Sequence, residues 1–205
     1  MSQSDLFSSA GPRDVISRDG KAVYYREWLP VDAASAYLHT LHDSLAWEQS
    51  VISMYGKPVR IPRLNAWYGD TASRYQYSGA HFTPLPWTPA LSEIKERLEA
   101  DTGYRYNSVL ANLYRDGNDG VAWHSDDEPE LGPEPAIASV SLGQTRRFTL
   151  KHKADRETVA LDLAHGDLLL MSGPLQRNWL HQLAKSKMSL GARINLTFRW
   201  VNPKS

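Results

Sequence analysis

Apolar residues recur along the chain in two rhythms, and the change of rhythm near residue 107 divides it. Before that point Leu38, Leu41 and Leu45 share one face of a helix that Asp32 can cap. Leu91, Ile94 and Leu98 repeat the pattern behind Thr88-Pro89, a cap followed by a first-turn proline, and Gly103 can end that helix. Residues 50–87 are rich in aromatics, Gly and Pro without helical periodicity, which predicts short strands and loops. From 107 onward the apolar runs are short. NSVLANLYR precedes the turn cluster Asp116-Gly117-Asn118-Asp119-Gly120, and PAIASVSLG, TRRFTLKHK, TVALDL, GDLLLMSG, NWLHQL and ARINLTFRWV follow. Repeated short strands with turn residues between them predict a sandwich or jelly roll, giving an α+β chain with helices ahead of a C-terminal β-core.

At 205 residues one domain is expected, spanning 21–205 and divided into 21–106 and 107–205. The polar start, MSQSDLFSSAGPRD, reads as a mobile arm over residues 1–20 and lacks the basic and apolar regions of a secretory signal. No run of about 18 apolar residues occurs, so no membrane span is expected. With no cysteine, disulfides, thiolate metal sites and a Cys nucleophile are excluded, and a cytoplasmic address is the default. Lys and Arg number 23 against 23 Asp and Glu, so the chain as a whole exerts no pull on a polyanion. A nucleic-acid partner would need basic residues gathered locally. Seven Trp and ten Tyr can fill a core, and can also stack on bases.

The candidate chemistry lies in His124-Ser125-Asp126, the distant His181, and Arg193 with Arg199. Two imidazoles and one carboxylate are the ligands of the facial triad that holds non-haem Fe(II) with open positions. A His-x-Asp triplet is weak by itself: with seven His, roughly half of one is expected from composition. His165-Gly166-Asp167 matches as well, but it sits between two apolar strands where Gly and Asp make a turn, and that is the preferred reading of it. His124 follows Val121-Ala122-Trp123, so a short strand would project His124 and Asp126 to the same face. His181, taken singly, is as well explained as a satisfied core histidine.

In the last strand Arg193, Asn195, Thr197 and Arg199 alternate with Ile194, Leu196, Phe198 and Trp200. Such a polar face is ordinarily solvated, yet two arginines there can also meet carboxylates. Their α-carbons would lie about 20 Å apart on a straight strand, and long side chains can still converge on a five-carbon diacid. Asn112 and Tyr114 share a face of an earlier strand and can add donors.

Taken together, N-x-Y-x-D-G (112–117), H-S-D-D-E (124–128), I-A-S-V-S-L-G (137–143), H-G-D-L-L-L-M (165–171), W-x-H (179–181) and R-x-N-L-T-F-R (193–199) resemble the AlkB family of Fe(II)- and 2-oxoglutarate-dependent dioxygenases. The resemblance extends upstream through Pro62-Arg63, Tyr68-Gly69-Asp70 and Tyr75 to Gly79. It implies a double-stranded β-helix core at 107–205 behind N-terminal helices and a nucleotide-recognition lid. It further implies Fe(II) on His124, Asp126 and His181, with 2-oxoglutarate and O2 as co-substrates. Arg193 would meet the far carboxylate of 2-oxoglutarate and Arg199 the metal-bound end, with Asn112, Tyr114, Asn195 and Thr197 assisting. The implied activity is oxidative removal of N-methyl groups from 1-methyladenine and 3-methylcytosine in DNA, with formaldehyde, succinate and CO2 released by a monomer. RNA, or a protein or small molecule, is the alternative substrate.

A base must leave the duplex to reach a buried metal. By the same resemblance Tyr75 and Tyr77 form the lid, Trp67 and Tyr68 lie near it, and Asp127 and Glu128 accept from an exocyclic amine. Met54-Tyr55-Gly56-Lys57 resembles the wedge of duplex-acting relatives, and an ordinary hairpin turn explains it nearly as well. Arg60, Arg63, Arg146, Arg147, Lys151, Lys153, Lys185 and Lys187 could line a phosphate track, or simply lie on solvated faces.

Overall fold

Two antiparallel sheets face each other, and helices cover the outside of the larger one. The computed structural model describes residues 11–54, 56–71, 73, 75–77 and 80–202, with 54, 75–77 and 80–82 described by their backbone alone. The chain opens with β1 (Arg13–Ile16), β2 (Lys21–Tyr25) and α1 (Val31–Ser44). Five short strands follow: β3 (Val51–Met54), β4 (Lys57–Arg60), β5 (Leu64–Gly69), β6 (Tyr75–Tyr77) and β7 (Ala80–Phe82). After α2 (Pro89–Thr102) come β8 (Ser108–Tyr114), β9 (Val121–His124), β10 (Ile137–Gly143), β11 (Arg146–His152), β12 (Thr158–Leu163) and β13 (Leu168–Ser172). A single-turn helix, α3 (Leu175–Asn178), leads to β14 (Trp179–Leu183) and β15 (Arg193–Arg199).

The seven-stranded sheet runs β1-β2-β13-β10-β15-β8-β5 and the four-stranded sheet β12-β11-β14-β9. This is the double-stranded β-helix that the strand pattern and the resemblance imply. Leu41, Leu91, Ile94 and Leu98 of the helices pack with Val109, Val140, Ile194, Leu196 and Phe198 on the outer face of the large sheet. Its inner face carries Ile137, Leu169 and Met171, which meet Phe148, Leu150, Leu163, Trp179 and Leu183 of the small sheet and its approach. Burial on both faces explains the unbroken apolar run Leu168-Leu169-Leu170-Met171. Each such side chain contributes roughly 1.5–3 kcal/mol when fully buried.

The second helix starts and stops where its sequence predicts. Thr88 Oγ1 accepts from the Leu91 N–H at 3.3 Å, Pro89 occupies the first turn, and Gly103 takes the left-handed conformation at φ 74°. The first differs at its cap. Pro30 holds the N-cap position without a side-chain bond, and Asp32 lies inside the first turn, where the positive end of the helix dipole favours it.

Two boundaries move. Residues 13–16, expected within a mobile arm, form β1; it pairs with β2, which in turn pairs with β13. At the opposite edge β5 pairs with β8. The large sheet therefore draws both edges from before residue 107, since short mixed-polarity strands carry no apolar run to mark them. Among the described residues no helix is long and apolar enough to cross a membrane.

Candidate active site

His124 and His181 face each other across the β9–β14 ladder. Four residues of β9, from Val121 to His124, lie opposite three of β14, from Leu183 to His181. That extra residue is a β-bulge, which turns His124 inward although Val121 also packs inward. The two rings meet edge-to-face with centroids 4.2 Å apart. Asp126 is not on the strand, contrary to the expectation from period-2 spacing; β9 ends at His124 and the carboxylate is delivered by the following loop. Two distant groups hold it there. Arg199 Nη2 donates to Asp126 Oδ2 at 2.7 Å, and the Asp126 N–H donates to Gln176 Oε1 at 3.0 Å. The result is a cluster of one ligand atom each from His124, Asp126 and His181, all within 4.8 Å of one another.

The protonation states suit a cation. His124 Nδ1 lies 2.8 Å from the Ala122 carbonyl, a contact that places the proton on Nδ1 and leaves the Nε2 lone pair beside Asp126 Oδ1, 3.7 Å away. Burial pushes the His181 ring down to about 3, so it stays neutral, and Phe148 packs beside it at 5.4 Å. Burial would raise the Asp126 carboxyl, but Arg199, His181 and His124 outweigh it and hold the group below its ordinary value.

The polar face of β15 turns inward, not to solvent. Arg193 is 2 % exposed, donates through Nη2 to Ser141 Oγ at 2.9 Å, and stands 5.4 Å over the Tyr114 ring. Arg146 lies on the same ring at 5.8 Å. Among the described residues Arg193 has no ion-pair partner, and burial lowers its guanidinium to about 10, with Tyr114 opposing. Next along the face, Asn195 donates to Ser139 Oγ at 2.8 Å and accepts from Thr197 Oγ1 at 3.1 Å. Asn112 sits opposite Asn195 in the neighbouring strand and accepts from Arg63 Nε at 2.8 Å.

Among the described residues, the buried side-chain polar atoms that lack a hydrogen-bond partner are Glu128 Oε2, His181 Nδ1, Arg193 Nε and Arg199 Nε. Buried polar groups are nearly always paired, because an unpaired one costs about 1–3 kcal/mol. All four belong to residues singled out as site candidates from sequence, and they span both ends of the candidate site. Cation ligands and an uncompensated guanidinium are what a metal and an anionic co-substrate would complete, so the donor set fits both.

The second triplet is a turn, as its sequence context predicts. Gly166 has φ 86°, Asp167 accepts from Tyr24 Oη, Glu27 N and Ala164 N, and His165 Nδ1 accepts from the Gly143 N–H at 2.8 Å. His165→Ala should therefore leave metal affinity unchanged in a Mn(II) titration while lowering stability by about 1–3 kcal/mol in thermal unfolding.

The substrate candidates fare unevenly. Tyr55 lies outside the described residues, as do the side chains of Tyr75 and Tyr77. Tyr68 is corrected: it is 4 % exposed, packs in the core under the helices and accepts from the Ala46 N–H, so it cannot face a base. Trp67, its neighbour, pairs opposite Leu110 and so shares the face of Asn112. Arg63 braces Asn112 instead of standing free on a phosphate track. Arg146 leaves the track too, being buried and donating to the carbonyls of Asp116, Asp119 and Ala184. Asp127 is exposed, 3.1 Å from Ser125 Oγ, and a cavity of about 260 Å³ opens beside it, walled by Pro133, Pro135, Gln176 and Arg177 among others. Sequence reasoning missed Gln176 and Phe148 outright. Ser139 and Ser141 were visible as polar residues at period 2 inside an apolar strand.

A jelly roll with two His and one Asp at the mouth of a sheet pair, and a buried arginine behind them, defines the class of a metal-dependent oxygenase. The comparisons give the family. Residues 21–199 match the 2OG-Fe(II) oxygenase superfamily. The chain is 43% identical over 160 residues to the mouse protein "DNA oxidative demethylase ALKBH2", covering 74% of this chain and 67% of that protein. It is 41% identical over 189 residues to the human "Alpha-ketoglutarate-dependent dioxygenase alkB homolog 3", covering 87% and 65%. An Arabidopsis thaliana "DNA oxidative demethylase ALKBH2" is 34% identical over 206 residues, covering 87% and 66%. A solved structure, "The structure of OsALKBH1", superposes with a TM-score of 0.62 over 91% of this chain and 99% of that one; at 18% identity this likeness bears on fold alone. The chain belongs to the 2OG-Fe(II) oxygenase superfamily, in its AlkB family, whose cofactors are Fe(II), 2-oxoglutarate and O2. It spans about two thirds of the length of the curated relatives it matches.

Proposed function

We propose that the protein is a DNA oxidative demethylase that removes N-methyl groups from 1-methyladenine and 3-methylcytosine. The observation that carries the reading is the set of unpaired buried atoms on Glu128, His181, Arg193 and Arg199 around the His124-Asp126-His181 cluster. The names of the relatives at 34–43% identity supply the substrate class. When bound, iron, 2-oxoglutarate and O2 would together supply oxidation of the methyl to a hydroxymethyl group, one oxygen atom going to that group and the other to succinate as CO2 leaves; the hydroxymethyl is then lost as formaldehyde.

The chain's own contribution is placement. His124, with Nδ1 turned to the Ala122 carbonyl, offers Nε2; His181 offers a neutral ring; Asp126 offers Oδ1, because Arg199 engages Oδ2. Arg193, Asn112 and Tyr114 would orient the diacid from the Arg193 end of β15, with Ser141 and Tyr114 steering the Arg193 guanidinium. Asn195, donating to Ser139 across the ladder and accepting from Thr197, holds the polar face of β15 beside it. Trp67 and the Tyr75–Tyr77 strand would hold the extruded base, with Asp127 and Glu128 accepting from its amine.

Single strands are the favoured form. Of the eight basic residues of the expected track, Arg63, Arg146, Lys151 and Lys153 are engaged with Asn112, backbone carbonyls, the Trp123 ring and Gln176 respectively. Half of the track is thus turned to internal partners, which leaves fewer cations for two phosphate backbones. The same reading has the protein working as a monomer in the cytoplasm, where a chain without cysteine is indifferent to reducing conditions.

The test is formaldehyde release from oligonucleotides carrying either lesion, in single- and double-stranded DNA and in RNA. Formaldehyde is expected only with Fe(II) and 2-oxoglutarate present, and faster from single-stranded DNA than from duplex. Uncoupled turnover of 2-oxoglutarate with no formaldehyde from any lesion would leave an oxygenase and end the nucleic-acid reading.

A further inference from the structure

We infer that Gln176 is a positioning residue for the metal site, fixing Asp126 from the single-turn helix that links β13 to β14. The inference rests on the reading of His124, Asp126 and His181 as metal ligands. Asp126 lies beyond the end of β9, so ladder hydrogen bonds do not place its backbone. The partner of its N–H is Gln176 Oε1 at 3.0 Å, a side chain 2 % exposed and fifty residues away in sequence. The other end of that amide is fixed too, with Nε2 3.8 Å from Met171 Sδ.

The helix that bears Gln176 is itself clamped on both sides. Lys153 Nζ donates to the Gln176 carbonyl at 3.0 Å and to Ser125 Oγ at 3.1 Å, tying α3 to the residue before Asp126. On the far side, Asn178 Nδ2 donates to the Asp19 carbonyl at 3.0 Å, and the Trp179 indole to the Arg18 carbonyl at 3.2 Å. Gly20 lies so close that an added Cβ would stand 2.5 Å from Leu175 Cα. The turn between β1 and β2 thus backs α3, α3 sets Asp126, and His181 follows α3 directly along β14. One rigid element thereby sets the distance between a ligand delivered by a loop and a ligand delivered by a strand. Partners of this kind govern ligand orientation, and their loss typically lowers metal affinity about 10- to 100-fold.

The experiment is a Mn(II) titration, with Mn(II) standing in for Fe(II), joined to the visible charge-transfer band of the anaerobic Fe(II)–2-oxoglutarate complex. Gln176→Met keeps volume and removes the acceptor; it should weaken Mn(II) about 10- to 100-fold and diminish the band, whereas His165→Ala, which also strips a backbone N–H of its acceptor and so loses comparable thermal stability, should keep wild-type Mn(II) affinity. Gln176→Glu keeps an acceptor oxygen at the same reach and should restore most of the affinity. Wild-type affinity in Gln176→Met would overturn the role and leave Gln176 as packing. If Gln176→Met does not fold, Lys153→Met at its part-exposed position carries the test: a smaller loss of Mn(II) affinity supports the clamp, and none refutes it. Wild-type protein that took up no Mn(II) would sink the metal-site reading and this role with it, whereas normal Mn(II) binding without formaldehyde release would sink only the proposed substrate.

Discussion

Asp126→Ala should bind no Fe(II) at concentrations that saturate the wild type and should convert no 2-oxoglutarate to succinate. The carboxylate is the sole anionic ligand of the three, so its loss leaves two imidazoles and no negative charge beside the Arg199 guanidinium. A divalent cation at such a site meets repulsion without compensation. The same change strands a buried cation: Arg199 Nε already lacks a partner, and Nη2 would lose Oδ2. Removing one member of a buried pair costs about 3–5 kcal/mol, and the lower end applies because the Arg199 side chain is 17% exposed. The sign with pH follows from the lowered Asp126 carboxyl. A carboxyl depressed in the native state stabilises the fold fully above its unfolded value, about 4, and the advantage fades as acid protonates it. Wild type and Asp126→Ala should therefore differ most near neutrality and converge in acid. Asp126→Asn keeps an acceptor for Arg199, so it should unfold nearer to wild type and still fail to hold iron. Anaerobic metal titration and thermal unfolding across pH check all three statements; stoichiometric Fe(II) in Asp126→Ala would displace Asp126 from the ligand set.

Arg193→Met should separate stability from binding. In the protein without ligand, Arg193 is a buried cation held by one serine and the face of Tyr114, with no ion-pair partner among the described residues. A buried charge without an ion-pair partner keeps its desolvation cost uncompensated, so replacing it by an apolar side chain of similar length removes that cost. The variant should unfold at or above the wild-type temperature. Its affinity for 2-oxoglutarate should fall about 30- to 4,000-fold, since losing one partner of a buried charge pair costs about 2–5 kcal/mol and each 1.4 kcal/mol is tenfold. Wild-type protein should gain thermal stability with added 2-oxoglutarate and Mn(II), while Arg193→Met should gain little. A destabilised variant that still binds the diacid would make Arg193 a structural residue and move the co-substrate elsewhere.

Much of this site was legible in the linear chain, for local reasons. His124 and Asp126 are two residues apart, and Arg193 to Arg199 alternate at the strand period, so residue types alone suggested ligands and an arginine face. The triplet at 165–167 could be set aside because Gly166 and Asp167 are turn residues between apolar strands. The sequence could not show that β9 carries a bulge, since one extra residue in a ladder is defined only against its partner β14. Gln176 carried no signal either, because its role depends on a hydrogen bond to a residue fifty positions upstream. Tyr68 and Trp67 are adjacent in sequence and looked equivalent, yet alternation on β5 sends one to the helix core and the other to the site face.

Linear pattern alone was enough for the ligand types and for the run of strands after residue 107. Ligand types, arginines, turn glycines and apolar periods are properties of single residues and near neighbours, and they stay in place whatever packs on them. Which polar face is buried, which arginines are available and what holds Asp126 emerge only when the chain is folded. Each of those depends on the pairing of β15 between β10 and β8, on Arg146 reaching three backbone carbonyls, and on α3 meeting the loop after β9. Burial and hydrogen-bond partners of that kind are fixed by contacts far apart in the chain, which local pattern does not encode.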